Sequence, residues 1–332
     1  MRINETKYNH EKNKLLSIVI PTFNRINIIK KTLPTVIAQA RIHNVNVIVI
    51  NNGSQDQTAK YLEEVSSRSP DIRIINRKYN IGGDANVILA INEVDTEYVY
   101  VLGDDDLIKN NAVEIIIRDI NRYKPTWVNY HSDSLSHSRR SKTEVMSDHE
   151  IFLLRIGSWN ELIYISNNIY KTEIIGKGIN FGLFYQITQS AHALAMLNGI
   201  ENTKEPLSYI YSCDSIIETD SLAAETGQVN YSVIPFMSTS SLIPELVNKK
   251  SQHVLSKIIR NTARRWLTLE NIYKIFAIHF HVKKRNTLHS EFLILNIIKT
   301  YGARSLLILF TVCLAKVTGG VAYRFAKRKR NG

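Results

Sequence analysis

The chain has 332 residues, 44% of them hydrophobic, with a formal net charge of +12. That is enough apolar sequence to bury a full core in one large domain or two smaller ones. The two cysteines, Cys213 and Cys313, are too far apart in sequence for a disulfide framework or a metal-ligand spacing, and they suit a reducing cytoplasm.

The basic excess asks for an anionic partner: nucleic acid, phospholipid head groups or a phosphorylated substrate. No zinc-finger spacing and no aromatic RNA-binding signature occurs, so nucleic acid drops out as the expected partner. The first fourteen residues, MRINETKYNHEKNK, read as a polar tail without the apolar segment of a secretory leader.

Residues 15–20, LLSIVI, predict a buried first strand that stops at Pro21. In the PTFNR that follows, Thr22 and Asn24 have loop and capping chemistry, and Arg25 can meet a phosphate. Ile28, Ile29, Leu33, Val36, Ile37 and Ala40 then recur at helical spacing, with Pro34 as an irregularity. Residues 45–50, VNVIVI, predict the second strand. Asn51, Asn52 and Gly53 predict a tight turn after it, and Ser54 or Asp56 caps a helix over 57–67. A third short strand covers 72–75. In the loop beyond, Gly82 and Gly83 let backbone approach a ligand closely, and Asp84 caps a helix over 85–93.

Residues 98–102, YVYVL, predict a fourth strand. Asp104, Asp105 and Asp106 follow Gly103 directly, and a helix over 111–123 comes next. Like charges so close raise each other's pKa and call for a counter-ion. Mg²⁺ or Mn²⁺ suits these oxygen ligands, and such sites often combine one or two carboxylates with substrate phosphates. The plain alternative is a solvated acidic turn.

Strand–helix alternation over 15–125 predicts an α/β fold with a doubly wound, mostly parallel sheet. Each strand ends in polar or glycine-rich sequence, so four loops on one edge frame a nucleotide-sized cleft. No GxGxxG follows the first strand and no GxxxxGK[ST] occurs, which argues against NAD enzymes and P-loop NTPases.

PTFN at 21–24, NNGSQDQT at 51–58, N-x-GG at 80–83 and GDDD at 103–106, each after a predicted strand, resemble the inverting family 2 glycosyltransferases of GT-A fold. The GDDD form resembles the branch containing bacterial O-antigen sugar transferases of the abequosyltransferase type. The resemblance implies that Thr22, Asn24 and Arg25 line the base and phosphate site, with Gly53 in the adjoining turn. Asn51 stands where the family usually has an Asp that contacts the nucleobase. Asp56 is the Asp of the S-x-D-x-T turn, with a helix-cap reading beside it, and Asn80 and Gly82 approach the ribose or sugar. Asp104 and Asp106 hold the metal on the diphosphate, with Asp105 as an alternative ligand.

The family's general base is often a carboxylate in a downstream E-D pair. Here that place reads Gln189, Ser190 on a helix expected to start near Thr188. His192 is the candidate base, with a structural role as the alternative; Asp214 and Glu218 rank behind it.

Residues 126–230 form the acceptor-side half of the catalytic domain. The pattern loosens over 125–147, where HSDSLSHSRRSK reads as a loop, and 151–170 can supply a strand and a helix. Residues 231–332 read as a helical, basic region. His279 and His281 lack a third ligand and read as surface. The run SLLILFTVCLA at 305–315 is apolar but shorter than the roughly 20 residues of a spanning helix. It predicts an amphipathic segment in the membrane interface, held by Lys327, Arg328, Lys329 and Arg330 against anionic lipid. A buried helix is the alternative.

The expectation is a peripheral, hexosyltransferase-type enzyme at the cytoplasmic face of a bacterial inner membrane. It moves a sugar from a nucleotide-sugar donor to a hydroxyl of a lipid-linked oligosaccharide, with inversion. The rivals are a sugar nucleotidyltransferase, whose usual glycine-rich loop PTFNR lacks, and a catalytically silent scaffold of a polysaccharide-assembly complex.

Overall fold

β1 (Leu16–Thr22) is apolar along almost its whole length, and neighbours cover it on both faces. Such a run belongs in the middle of a parallel sheet, where helices pack above and below. In the computed structural model it pairs in parallel with β2 (Asn46–Asn51) on one side and β4 (Tyr98–Val101) on the other. The structure describes residues 14–136, 139–184, 190–218, 247, 249–266, 269, 273 and 305–330.

β3 (Ile72–Asn76) adds to β2 in parallel. Beyond β4 come β7 (Asn168–Lys171), β5 (Trp127–Asn129), β8 (Tyr209–Tyr211) and β6 (Glu144–Met146). The order is β3-β2-β1-β4-β7-β5-β8-β6, with β7 and β6 antiparallel to the rest. The mixed α/β sheet with its parallel first half is the fold class the sequence predicted. Strand order reverses between β1 and β4. In an open α/β sheet a ligand crevice opens at that point, beyond the carboxyl ends of the strands.

The helices of the first half are α1 (Ile26–Ile42), α2 (Thr58–Arg68), α3 (Gly83–Ile91) and α4 (Ala112–Tyr123). α1 runs unbroken past Pro34. Its Ile29, Leu33, Val36 and Ala40, spaced at three and four residues, pack into one core with β1, β2 and β4. Asp84, expected as the cap, is the second residue of α3; Gly82 takes the N-cap position at φ +92°.

The second half of the sheet departs from the expected loop. β5 lies inside the stretch where the pattern loosens, and all three of its residues are buried. Arg140, read as part of a loose basic loop, is buried. It pairs with Glu161 of the short helix Trp159–Ile163 at 2.6 Å, bonds the backbone oxygens of Asn129 and Ser212, and stacks over Tyr211. The loop is therefore pinned by its own charge. The helix Ala191–Glu201 begins three residues later than expected, with residues 185–189 outside the described set.

The chain divides into two compact units. One comprises residues 1–156 and 160–229 and holds the whole sheet; the other comprises 157–159 and 230–332. In the second, the helix Lys249–Trp266 turns Val254, Leu255, Ile258 and Ile259 inward, and a long helix spans Ser305–Arg330. His279, His281, Gln189 and the N-terminal tail through Asn13 lie outside the described residues.

The Arg140 pair makes a stability prediction. Arg140→Ala strands the Glu161 carboxylate in the interior and lowers unfolding free energy by about 3–5 kcal/mol in denaturant titrations. Arg41→Ala, which breaks an exposed pair with Asp71, costs about 1 kcal/mol or less.

Candidate active site

The carboxyl end of β4 delivers the three aspartates to the crevice where strand order reverses. Leu102 still bonds back to Val19 of β1, and the Gly103 N–H donates to the Ser166 hydroxyl at 2.8 Å. A tight turn follows, closed by the Asp106 N–H on the Gly103 carbonyl. Across the crevice, Thr22 at the end of β1 donates its hydroxyl to Asp104 Oδ2 at 2.6 Å. Thr32 of α1 donates to the Asp104 carbonyl at 2.9 Å. Arg25 reaches over from the loop after β1, donating to Asp105 Oδ2 at 2.9 Å and standing 3.8 Å from Asp104 Oδ1.

Asp106 turns the other way. Tyr164 donates to its Oδ1 and Ser166 to its Oδ2, both at 2.6 Å. Ser166 is buried in the turn leading into β7, and its carbonyl accepts the Tyr100 hydroxyl of β4. Asn168 of β7 holds the Tyr164 carbonyl at 2.8 Å and accepts the Trp127 indole N–H, which ties this support to the far half of the sheet.

Of the residues expected at the metal, Asp104 and the alternative ligand Asp105 share Arg25, while Asp106 is held by Tyr164 and Ser166. Among the described residues, no three acidic, histidine or cysteine side chains converge on a cation position. The chemistry still fits a divalent ion of the kind that takes one or two carboxylates and completes its shell with phosphate oxygens. Asp104 and Asp105 are the pair that fits; Asp106 has both oxygens engaged by hydroxyl donors. Burial raises the Asp104 carboxyl to about 6, against the Thr22 hydrogen bond and the Arg25 charge. Burial also raises Asp106 to about 6, against its bonds from Ser166 and Tyr164. Buried acids in this condition are stabilised as anions by added positive charge.

The other predicted residues build the walls. Asn24, in the left-handed region at φ +53°, accepts from the Gln55 N–H at 2.7 Å, while its own N–H donates to Ser54 Oγ. Asp56 accepts from the backbone N–H of Thr58 at the start of α2 and of Ile26 at the start of α1. Burial acts to raise its pKa, but these hydrogen bonds hold it below the usual carboxylate value. Asn51 is buried, accepting from the Ser54 N–H and donating to Asn76. Gly53, at φ +73°, lies so close to the next loop that a Cβ would stand 2.7 Å from the Tyr79 carbonyl carbon. Asn80 and Gly82 join through the Gly82 N–H on Asn80 Oδ1 at 2.8 Å, and buried Asn52 donates to Asn80 and accepts from the Ile81 N–H.

Sequence reasoning read Asn52 only as a turn residue and missed Tyr164 and Ser166 altogether. Asn52 was within reach, since it lies in the NNGS motif. Tyr164 and Ser166 sit 58 and 60 residues beyond Asp106 in a stretch without a motif, and only the β4–β7 pairing brings them close.

His192 is buried on the helix Ala191–Glu201, with Nδ1 at 2.7 Å from the Tyr170 hydroxyl and Nε2 at 3.1 Å from the Ile163 carbonyl. The carbonyl can only accept, so Nε2 carries the proton and Nδ1 accepts from Tyr170. To act as a base, the ring would have to leave Tyr170. Asp214 is paired with Arg118 at 2.5 Å, and the Glu218 N–H bonds the Leu107 carbonyl.

Residues 17–182 match the model of glycosyl transferase family 2, which is half of the chain (166 of 332 residues). An uncharacterized glycosyltransferase of Haemophilus influenzae is 31% identical over 103 residues, covering 31% of this chain and 32% of the relative. A GalNAc(5)-diNAcBac-PP-undecaprenol beta-1,3-glucosyltransferase of Campylobacter jejuni is 25% identical over 107 residues, covering 32% of this chain and 34% of the relative. The matched stretch thus spans about a third of the length of these relatives. The crystal structure of S. aureus TarS 1-349 superposes with a TM-score of 0.60 at 15% identity, over 94% of this chain and 92% of that one, a likeness of fold. With half its length on the family pattern and the four polar loops of that pattern gathered on one sheet edge, the chain belongs to glycosyl transferase family 2.

Proposed function

We propose that the chain is a metal-assisted, inverting glycosyltransferase. It moves a sugar from a nucleotide-diphosphate sugar to a hydroxyl of a lipid-linked oligosaccharide in bacterial surface polysaccharide synthesis. One observation carries the reading: Thr22, Arg25, Asp104 and Asp105 meet at the strand-order reversal of a family 2 domain. The diphosphate of the donor lies there, with Asn51 at the nucleobase side and Asn80 and Gly82 at the ribose or sugar.

Asp104 and Asp105 would hold Mg²⁺ or Mn²⁺ together with the donor's phosphate oxygens. When bound, the ion neutralises charge developing on the leaving nucleoside diphosphate. Arg25 adds a second positive charge within reach of the same oxygens. Tyr164 and Ser166 fix Asp106, and through it the tight turn that carries Asp104 and Asp105. Attack by the acceptor hydroxyl from the opposite face of the sugar accounts for inversion.

The acceptor class is supported by the Campylobacter relative, whose name describes an undecaprenol-diphosphate-linked substrate. The GDDD sequence supports an O-antigen sugar transferase of the abequosyltransferase type. A lipid-carried acceptor places the enzyme peripherally at the cytoplasmic face of the inner membrane. A second reading, a scaffold that binds donor without turnover, has a specific motive: buried Ser190 stands where the family has a carboxylate.

Two measurements test this. Titration with UDP, CDP, GDP and TDP, with and without Mn²⁺, is expected to show one nucleotide bound tightly, only with metal, and lost in Asp105→Ala. Metal-independent binding would remove the metal from the reading, and no binding of any of the four would remove the diphosphate site. Tyr164→Phe removes one hydrogen bond to a buried carboxylate, worth about 1.5–3 kcal/mol. It is expected to lower kcat/KM for transfer roughly 10- to 100-fold. Donor binding with no transfer to any lipid-linked acceptor would select the scaffold.

A further inference from the structure

The helix Ser305–Arg330 is apolar on two opposite faces. Ile308, Thr311, Val312 and Ala315 turn inward and are buried, and the Tyr273 hydroxyl bonds Thr318 at 2.7 Å on the same helix. On the other side, Leu306, Phe310, Leu314 and Val317 follow one another at i, i+4, i+8 and i+11, which is a single stripe of a helix. Leu306 is 76% exposed, Phe310 66% and Val317 79%, and Leu307 widens the stripe. A row of large apolar side chains facing water over three turns marks an interaction surface.

The rest of the helix says what covers it. It contains no aspartate or glutamate, and it runs on into Arg324, Lys327, Arg328, Lys329 and Arg330. A second copy of the same helix would offer no negative charge to that end, and the chain carries a net +12. Among the described residues no helix is long and apolar enough to cross a membrane. A surface that is apolar in one part and negatively charged beside it meets both halves of the pattern, as the head-group region of an anionic bilayer does.

We propose that Leu306, Leu307, Phe310, Leu314 and Val317 are the insertion face of a bilayer-docking helix that lies in the plane of an anionic phospholipid surface. The positive charge that the sequence carries from Arg324 to Arg330 supplies the attraction to the head groups. This deepens the membrane-surface part of the function proposed above and names the residues that make the contact. It stands independently of the donor site, since none of these residues belongs to the Asp104–Asp106 cluster.

The test is co-sedimentation of the full chain with phosphatidylglycerol–phosphatidylcholine vesicles and with pure phosphatidylcholine vesicles. Wild type is expected to bind the anionic vesicles, to bind neutral ones at least about tenfold more weakly, and to be released by salt. Phe310→Glu/Val317→Glu changes two exposed side chains, so the fold tolerates it; circular dichroism and nucleotide titration confirm that. This variant is expected to lose binding to anionic vesicles at least about tenfold while keeping nucleotide binding. Unchanged vesicle binding by the double variant, or equal binding to both vesicle types, overturns the proposal. So does a concentration-dependent dimer that the double variant abolishes, since a second copy then covers the face. Loss of nucleotide binding by the wild type would instead sink the donor-site reading and leave this one standing.

Discussion

The hydrogen bond between the Thr22 hydroxyl and Asp104 joins the ends of the two strands between which the sheet changes direction. Around it, the Thr22 hydroxyl bonds a buried carboxylate that has the Arg25 guanidinium 3.8 Å away. Much of what surrounds the bond serves it. α1 carries Thr32 to the Asp104 backbone, the loop after β1 carries Arg25, and β7 brings Tyr164 and Ser166 against Asp106.

The two halves of the sheet differ in how they earn their place. β1, β2 and β4 are held by buried apolar runs, and a helix follows each of β1, β2 and β3, as the parallel pairing of this half requires. β5, β7 and β8 are only three or four residues long and gain their cohesion from polar links: Trp127 and Asn129 on Asn168, and Arg140 on Asn129, Ser212 and Glu161. Low dielectric strengthens such a network when every member is satisfied and makes each unpaired member costly. This half therefore depends on a few specific side chains where the first depends on bulk burial.

This difference explains what could be read in the sequence. In the first half, strands, helices and the four polar strand ends follow from local pattern, and Thr22, Arg25 and the aspartates were placed within that pattern. The second half resisted because its ordering is non-local. Arg140 looks like loop sequence until Glu161, 21 residues on, gives it a buried partner. Tyr164 and Ser166 carry no motif, and their approach to Asp106 is made by antiparallel pairing of distant strands. His192 was singled out by residue type and by its place just after the position of the family's E-D pair; its surroundings, Tyr170 and the Ile163 carbonyl, lie 22 and 29 residues away.

The cross-bracing of Asn24, Ser54 and Asp56 has a consequence for how a ligand is met. The loop after β1 and the loop after β2 share three hydrogen bonds in both directions: Asn24 N–H to Ser54, Gln55 N–H to Asn24, and Ile26 N–H to Asp56. They form one stiff piece, so little chain entropy remains to be lost when an incoming molecule spans both. Affinity at one end of that molecule is then mechanically shared with the other, and a loop change that frees either side taxes recognition along its whole length.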